Sequence, residues 1–295
     1  MKNVLGDKRA ILILLGPALL FYTLVKIVPV LWSFGLSFTQ GDLRGFEFVG
    51  FDNFVTLIND PNTPTVLWFT FKYAILATVC QVTVGYFLAL FYVFVLRKSS
   101  TLIRTLVFFP VVLPTVAVGL MFRRFFEVAP QNGPVNDILN LFGIDAVDWF
   151  AQPGTAFAVI IIMDLWRSIG FYAVLLYAGL LDVPEELLES ARLDGATGLK
   201  LVRHIVVPLS LPVLLSSVIF SLNATLKVFD SVLALTNGGP GWDTSPLTLY
   251  MYKTTFTYQD YGYGSTLALT LTIICFLLTI VVFKFSRKDN TKATA

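Results

Sequence analysis

Six apolar stretches, at roughly 10–34, 68–96, 104–126, 155–181, 206–235 and 264–285, divide this chain. Each is about the 20 residues that a helix needs to cross a lipid core. A backbone in lipid must satisfy every N–H and C=O internally, so a chain with this pattern folds as a bundle of spanning helices. Composition agrees: 56% of residues are hydrophobic and only 14% charged, where soluble domains carry about 25% charged residues. An aqueous core could not hide 27 Phe without large exposed apolar patches. A net charge of +2 excludes a polyanion such as nucleic acid as partner. Both cysteines, Cys80 and Cys275, sit in apolar runs, so no disulfide or metal spacing can be read. Pro17, Pro29, Pro110, Pro114, Pro208 and Pro212 fall in or beside spans, which should therefore be kinked.

The distribution of Lys and Arg sets the orientation. Lys2, Lys8 and Arg9 precede the first span, and Arg97, Lys98 and Arg104 occupy the second joint. Arg192, Lys200 and Arg203 lie in the fourth joint, and Lys284, Arg287, Lys288 and Lys292 follow the last span. The other joints hold Arg44 and Lys253, with Arg123 and Arg124 close to the end of the third span. This asymmetry predicts both termini and the 182–205 joint in the cytoplasm. The first span has no small-x-small cleavage site after it, and an uncleaved helix is expected. On the outer side, residues 39–65 and 127–153 read as turn-rich, with a short helix at Val135–Phe142.

Catalytic chemistry is missing from the pattern. One histidine, His204, forms neither a metal site nor an acid–base pair. No nucleophile elbow exists, and the glycines at 195 and 198 lack the spacing of a phosphate loop. The chain is not expected to be an enzyme, nor to bind a cofactor. A driven transport step would take its energy from another subunit.

The joint from Asp182 to Pro208 is the most informative segment. Pro184, Glu185 and Glu186 suit a first helical turn, and Gly195 suits a helix stop with positive φ. A second helix is expected from Thr197 to Val206, with Leu199, Val202 and Val206 on one face and Pro208 starting the next span. Two short helices joined at a glycine make either a rigid knob suited to a groove on a partner or a hairpin lying flat on lipid headgroups. Glu189, Ala191 and Gly195, with Asp194 and Ala196 beside them and Ile205 and Pro208 beyond, resemble the EAA loop of ABC-importer permease subunits. Ser190 and Val207 depart from that pattern by small changes. Further likeness lies in Phe48–Phe54, in Phe109–Pro114, and in Leu235–Pro240 after Phe229 and Asp230, which look like the sugar-uptake branch and the first of its two permeases.

That resemblance implies an all-α, polytopic membrane protein of six transmembrane helices with the type I ABC importer permease fold. The whole chain, 1–295, would form one transmembrane domain, with a core permease region at 68–285 and the coupling loop at 182–208. It implies a prokaryotic inner membrane, a second homologous permease, and two ATPase subunits that bind ATP and Mg. It also implies an extracytoplasmic solute-binding protein and a sugar as cargo. Glycerol 3-phosphate or a polyamine is the alternative cargo, and a stand-alone secondary transporter the alternative class.

Ionisable groups inside spans usually face a cavity or one another. Asp164 and Arg167 stand i,i+3 in the fourth span, and Lys227 and Asp230 stand i,i+3 in the fifth. Both pairs can neutralise themselves on one helix face and tie helices together. The other reading is a wet path for a polyhydroxylated solute, with Trp166, Tyr172, Ser221, Asn223 and Thr225 as aromatic and hydrogen-bonding partners. By similarity to the maltose-type permease, Tyr172, Ser221 and Thr225 fall at sugar-contacting positions.

Overall fold

A computed structural model describes residues 8–42, 44–96, 100–128 and 130–290, with side chains between 11 and 284. Of the basic residues that set the orientation, Lys2, Arg97, Lys98 and Lys292 lie outside it, as do the side chains of Lys8, Arg9, Arg287 and Lys288. Among the described residues, five helices are long and apolar enough to cross a membrane: α1 (Ile11–Leu36), α3 (Thr63–Leu96), α7 (Pro153–Leu181), α9 (Gly198–Thr225) and α12, whose crossing part is Tyr261–Lys284. The third expected span is a pair, α4 (Ser100–Val112) and α5 (Thr115–Phe125), bent by 94° at Leu113 and Pro114. Proline removes an N–H and clashes with the preceding turn, which accounts for the bend.

Two compact units are present, Met1–Thr63 with Tyr250–Ile273 and Pro64–Leu249 with Ile274–Ala295. In the first, α1 buries none of its apolar window. It is followed by a small hairpin, β1 (Thr39–Asp42) and β2 (Gly45–Phe48), antiparallel with Thr39 opposite Phe48 and Asp42 opposite Gly45. The sequence reading gave only turns here, because two four-residue strands around two glycines carry no periodicity. A short helix, α2 (Asp52–Asn59), sends the Asn53 amide to the Ser37 and Thr39 carbonyls at 3.0 and 2.8 Å. Asp60 accepts hydrogen bonds from the hydroxyls of Tyr250, on α11 (Leu247–Tyr252), and of Tyr263 at 2.5 and 2.6 Å. Burial pushes the Asp60 carboxyl up, but these donors and the Asn62 N–H outweigh it and hold its pKa below the ordinary value. Burial and the same carboxylate push Tyr250 up to about 12.

In the second unit, helices approach through small residues, as packing in lipid favours. A Cβ on Gly85 would stand 2.8 Å from the Tyr172 Cβ, where α3 crosses α7. Gly170 lies against the Val107 carbonyl of α4, and Gly179 against Val213 of α9. Hydroxyls tie α3 to α9: Tyr86 pairs with Ser210 at 2.8 Å, and Ser221 donates to Gln81 Oε1 at 2.8 Å. The expected outer helix is α6 (Pro134–Leu141).

Two expectations are corrected. The fifth span does not run to residue 235: α9 ends at Thr225, residues 226–229 form a break, and α10 (Asp230–Leu235) follows. Lys227 and Asp230 therefore do not share a helix, and among the described residues no ion pair joins them. At its other end, α9 is not preceded by a separate helix. Gly198 to Thr225 is one continuous helix, because a π turn at Val202–Val206 lets the Val207 N–H reach back to the Val202 carbonyl just before Pro208. Leu199, expected on the apolar face, is 82% exposed, whereas Leu201 and Val206 are buried.

Candidate functional site

Within the second unit, α3, α5, α7, the end of α9, the break and α10 line a half-open polar cavity of about 200 Å³. Asp164 is among its lining residues and nearly fully buried. Its Oδ2 accepts the hydroxyls of Tyr73 from α3 and of Ser231 from α10, the latter at 3.0 Å. Its Oδ1 lies 3.8 Å from Arg167 Nε, one turn along α7. Arg167 Nε is itself buried and has no acceptor. Lys227 and Asp230, both exposed in this chain, stand at the cavity wall with Tyr172 and Thr225. The break that carries Lys227 is held by the Thr248 hydroxyl, which donates to the Val228 carbonyl. Irregular backbone at membrane depth is tolerated where it is buried in protein or lines a cavity.

Of the sequence-derived candidates, Tyr172 and Thr225 line this cavity, and Ser221 and Asn223 do not. Ser221 is fully buried between α3 and α9, bonded to Gln81 and Thr78. Asn223 turns its amide to Thr279 of α12 at 3.1 Å. Tyr73, Gln81, Thr115 and Ser231, which line the cavity, were not singled out from sequence. Thr70, Tyr73, Thr78 and Gln81 recur at three- to five-residue intervals in an apolar span, a polar stripe that could have marked α3.

At the far end of α9 lies the knob. Helix α8 (Glu185–Leu193) ends in a Schellman turn: Ala196 N–H donates to the Ala191 carbonyl at 2.8 Å, and Gly195 N–H to the Arg192 carbonyl at 3.1 Å. Gly195 has φ +86°, as the sequence requires of a helix stop. Ala191 packs inward with Leu201 and Val206, and Ala196 and Ile205 lie against that cluster. Glu189, Asp194 and Pro208 face outward. Leu193 at 90% exposed and Leu199 at 82% are apolar side chains with nothing to pack on in this chain.

Residues 81–288 match the family described as binding-protein-dependent transport system inner membrane component. The chain is 32% identical to the sulfoquinovosyl glycerol transport system permease protein SmoG of Agrobacterium fabrum, over 97% of this chain and 93% of that protein. It is 28% identical to the arabinooligosaccharides transport system permease protein AraP of Bacillus subtilis, over 95% and 90%. Its fold matches a chain of a bacterial ABC transporter involved in the import of the acidic polysaccharide alginate, with TM-score 0.85 and 22% identity over 97% and 98% of the two chains. The long apolar helices and the bent pair suit a multi-pass membrane protein, and the chain belongs to the binding-protein-dependent transport system inner membrane component family.

Proposed function

We propose that this chain is a permease subunit of an ATP-driven importer, forming with a second permease the pathway for a sugar or oligosaccharide. The observation that carries this reading is the placement of Lys227 and Asp230, exposed at the wall of a polar cavity beside the apolar helices α7 and α9. A charge facing hydrocarbon there costs about 2.5–3.5 kcal/mol. A face that carries two such groups, beside Tyr172 and Thr225, belongs against an aqueous path or a second permease. Tyrosine and threonine hydroxyls suit a polyhydroxylated cargo, and the relatives named for saccharides support that class. Two ATPase subunits, which hold ATP and Mg, would receive the 182–208 knob. A solute-binding protein would deliver cargo at the outer face, and this chain would hold no cofactor.

The test is uptake by the reconstituted complex of both permeases, the ATPase and the binding protein. Thr225→Val removes, at nearly constant volume, a hydroxyl that donates to the Ser221 carbonyl at 2.8 Å and keeps an acceptor oxygen at the cavity wall, and Tyr172→Phe removes another. Each hydrogen bond is worth about 1 kcal/mol, so each substitution should slow uptake several-fold while the complex still assembles. Unchanged uptake in both variants would make this strip a helix-packing surface.

Both termini are assigned to the cytoplasm on the Lys and Arg asymmetry. In a Cys80→Ser, Cys275→Ser background, Leu141→Cys on α6 should react with an impermeant thiol reagent added to intact cells. Thr197→Cys on the knob should react only after the membrane is opened. The reverse pattern would invert the orientation.

A further inference from the structure

We infer that Arg167 is the cargo-orienting donor of this pathway and that Asp164 is its positioning residue. The inference rests on the saccharide-permease reading above and adds a role for residues that reading leaves idle. Arg167 is near the middle of α7, where a cation needs a partner. Its expected partner is Asp164, yet the 3.8 Å between Nε and Oδ1 is about 1 Å longer than a charge-assisted hydrogen bond. Two further elements hold the carboxylate at that distance: the Tyr73 hydroxyl from α3 and the Ser231 hydroxyl from α10, both on Oδ2. Asp164 thus compensates the charge of Arg167 without occupying its donors. Nε is buried without an acceptor beside a cavity. An unpaired buried donor is the device by which a site rejects a ligand that lacks the matching group.

The shared chemistry of the cargo is a pair of oxygen acceptors, which a planar guanidinium meets with two parallel hydrogen bonds. A vicinal diol of a neutral sugar offers such a pair, and so does a sulfonate or carboxylate on an acidic one. The cavity of about 200 Å³ is below the roughly 300 Å³ at which ligand pockets begin. This chain alone does not form the whole pocket, and a second permease would complete the space that cargo needs.

The experiment measures uptake by the full complex in proteoliposomes for three probes: an arabinooligosaccharide, sulfoquinovosyl glycerol and an alginate oligosaccharide. Capture by the binding protein sets the half-saturating concentration, so Arg167→Gln should leave that concentration unchanged. It should lower the maximal rate by about tenfold, the equivalent of one lost hydrogen bond to a charged group. Arg167→Lys keeps the charge and loses the fork. It should restore the rate for an anionic probe and fail to restore it for a neutral one. Asp164→Asn still offers an oxygen to Tyr73 and Ser231, and should reproduce the loss of rate while the ATPase subunit co-purifies. If the wild type carries a probe and Arg167→Gln carries it at the same maximal rate, the inference falls and the permease reading stands. An unchanged rate in an assembled Asp164→Asn complex removes the positioning role. If the wild type carries none of the three, the saccharide reading falls and this inference with it.

Discussion

Gly195→Val should abolish uptake and release the ATPase subunit while leaving the permease inserted in the membrane. Gly195 sits at φ +86° in the turn that ends α8, and an added Cβ would meet nothing within 4 Å. The penalty is therefore conformational and not steric crowding. A β-branched residue in the left-handed region is strained by about 1–3 kcal/mol, comparable with the two hydrogen bonds that close the turn. The chain would escape by opening the turn, which swings α8 and its Glu189 away from the start of α9. Asparagine tolerates this region and is found at the same helix stop, so Gly195→Asn should keep both uptake and the bound ATPase. Co-purification and uptake measured on the same membranes check the pair. Full activity in the valine variant would show that the knob does not depend on this turn.

Gly170→Val should prevent the second unit from forming. A Cβ there would fall 2.2 Å from the Val107 carbonyl oxygen and 2.6 Å from the Phe108 Cα, both backbone atoms of α4. Backbone cannot rotate aside as a side chain can, so α7 would have to lift off α4 and carry Asp164, Arg167 and Tyr172 with it. Overpacking of a tight site costs about 1–3 kcal/mol even where side chains can adjust, and here they cannot. The expected result is loss of monodisperse protein on size exclusion and a thermal midpoint lowered well beyond that of any surface variant. Gly154→Ala, on the same helix with open space around it, should behave as wild type.

The spanning helices were legible because lipid imposes its own length and polarity on a sequence. α7 was expected at 155–181 and is found at Pro153–Leu181. The break after Thr225 was not legible, for an equally physical reason. No proline or glycine interrupts residues 221–235, and Lys227 and Asp230 three residues apart read equally well as a pair on one continuous helix. What holds the break is distant in sequence: the Thr248 hydroxyl on the Val228 carbonyl and Ser231 on Asp164. The stop of α8 at Gly195 was legible, since a helix stop at glycine is a local event, but the continuity of the knob's second half with α9 and the exposure of Leu199 were not. The cavity could be read only by halves. Tyr172 and Thr225 stand on helices with recognisable motifs, whereas Tyr73 and Ser231 matter because folding brings them to one carboxylate.

The π turn before Pro208 has a mechanical meaning. Because it keeps Gly198–Thr225 unbroken, the knob and the cavity wall are opposite ends of a single rod, about 40 Å long at 1.5 Å per residue. A tilt of about 5° about one end of such a lever moves the other by about 3.5 Å, more than the diameter of a water molecule. Two separate helices with a hinge at Pro208 would dissipate that displacement in the joint. Carried along one helix, a small rocking of the knob would change the spacing of the groups that line the cavity beside Thr225.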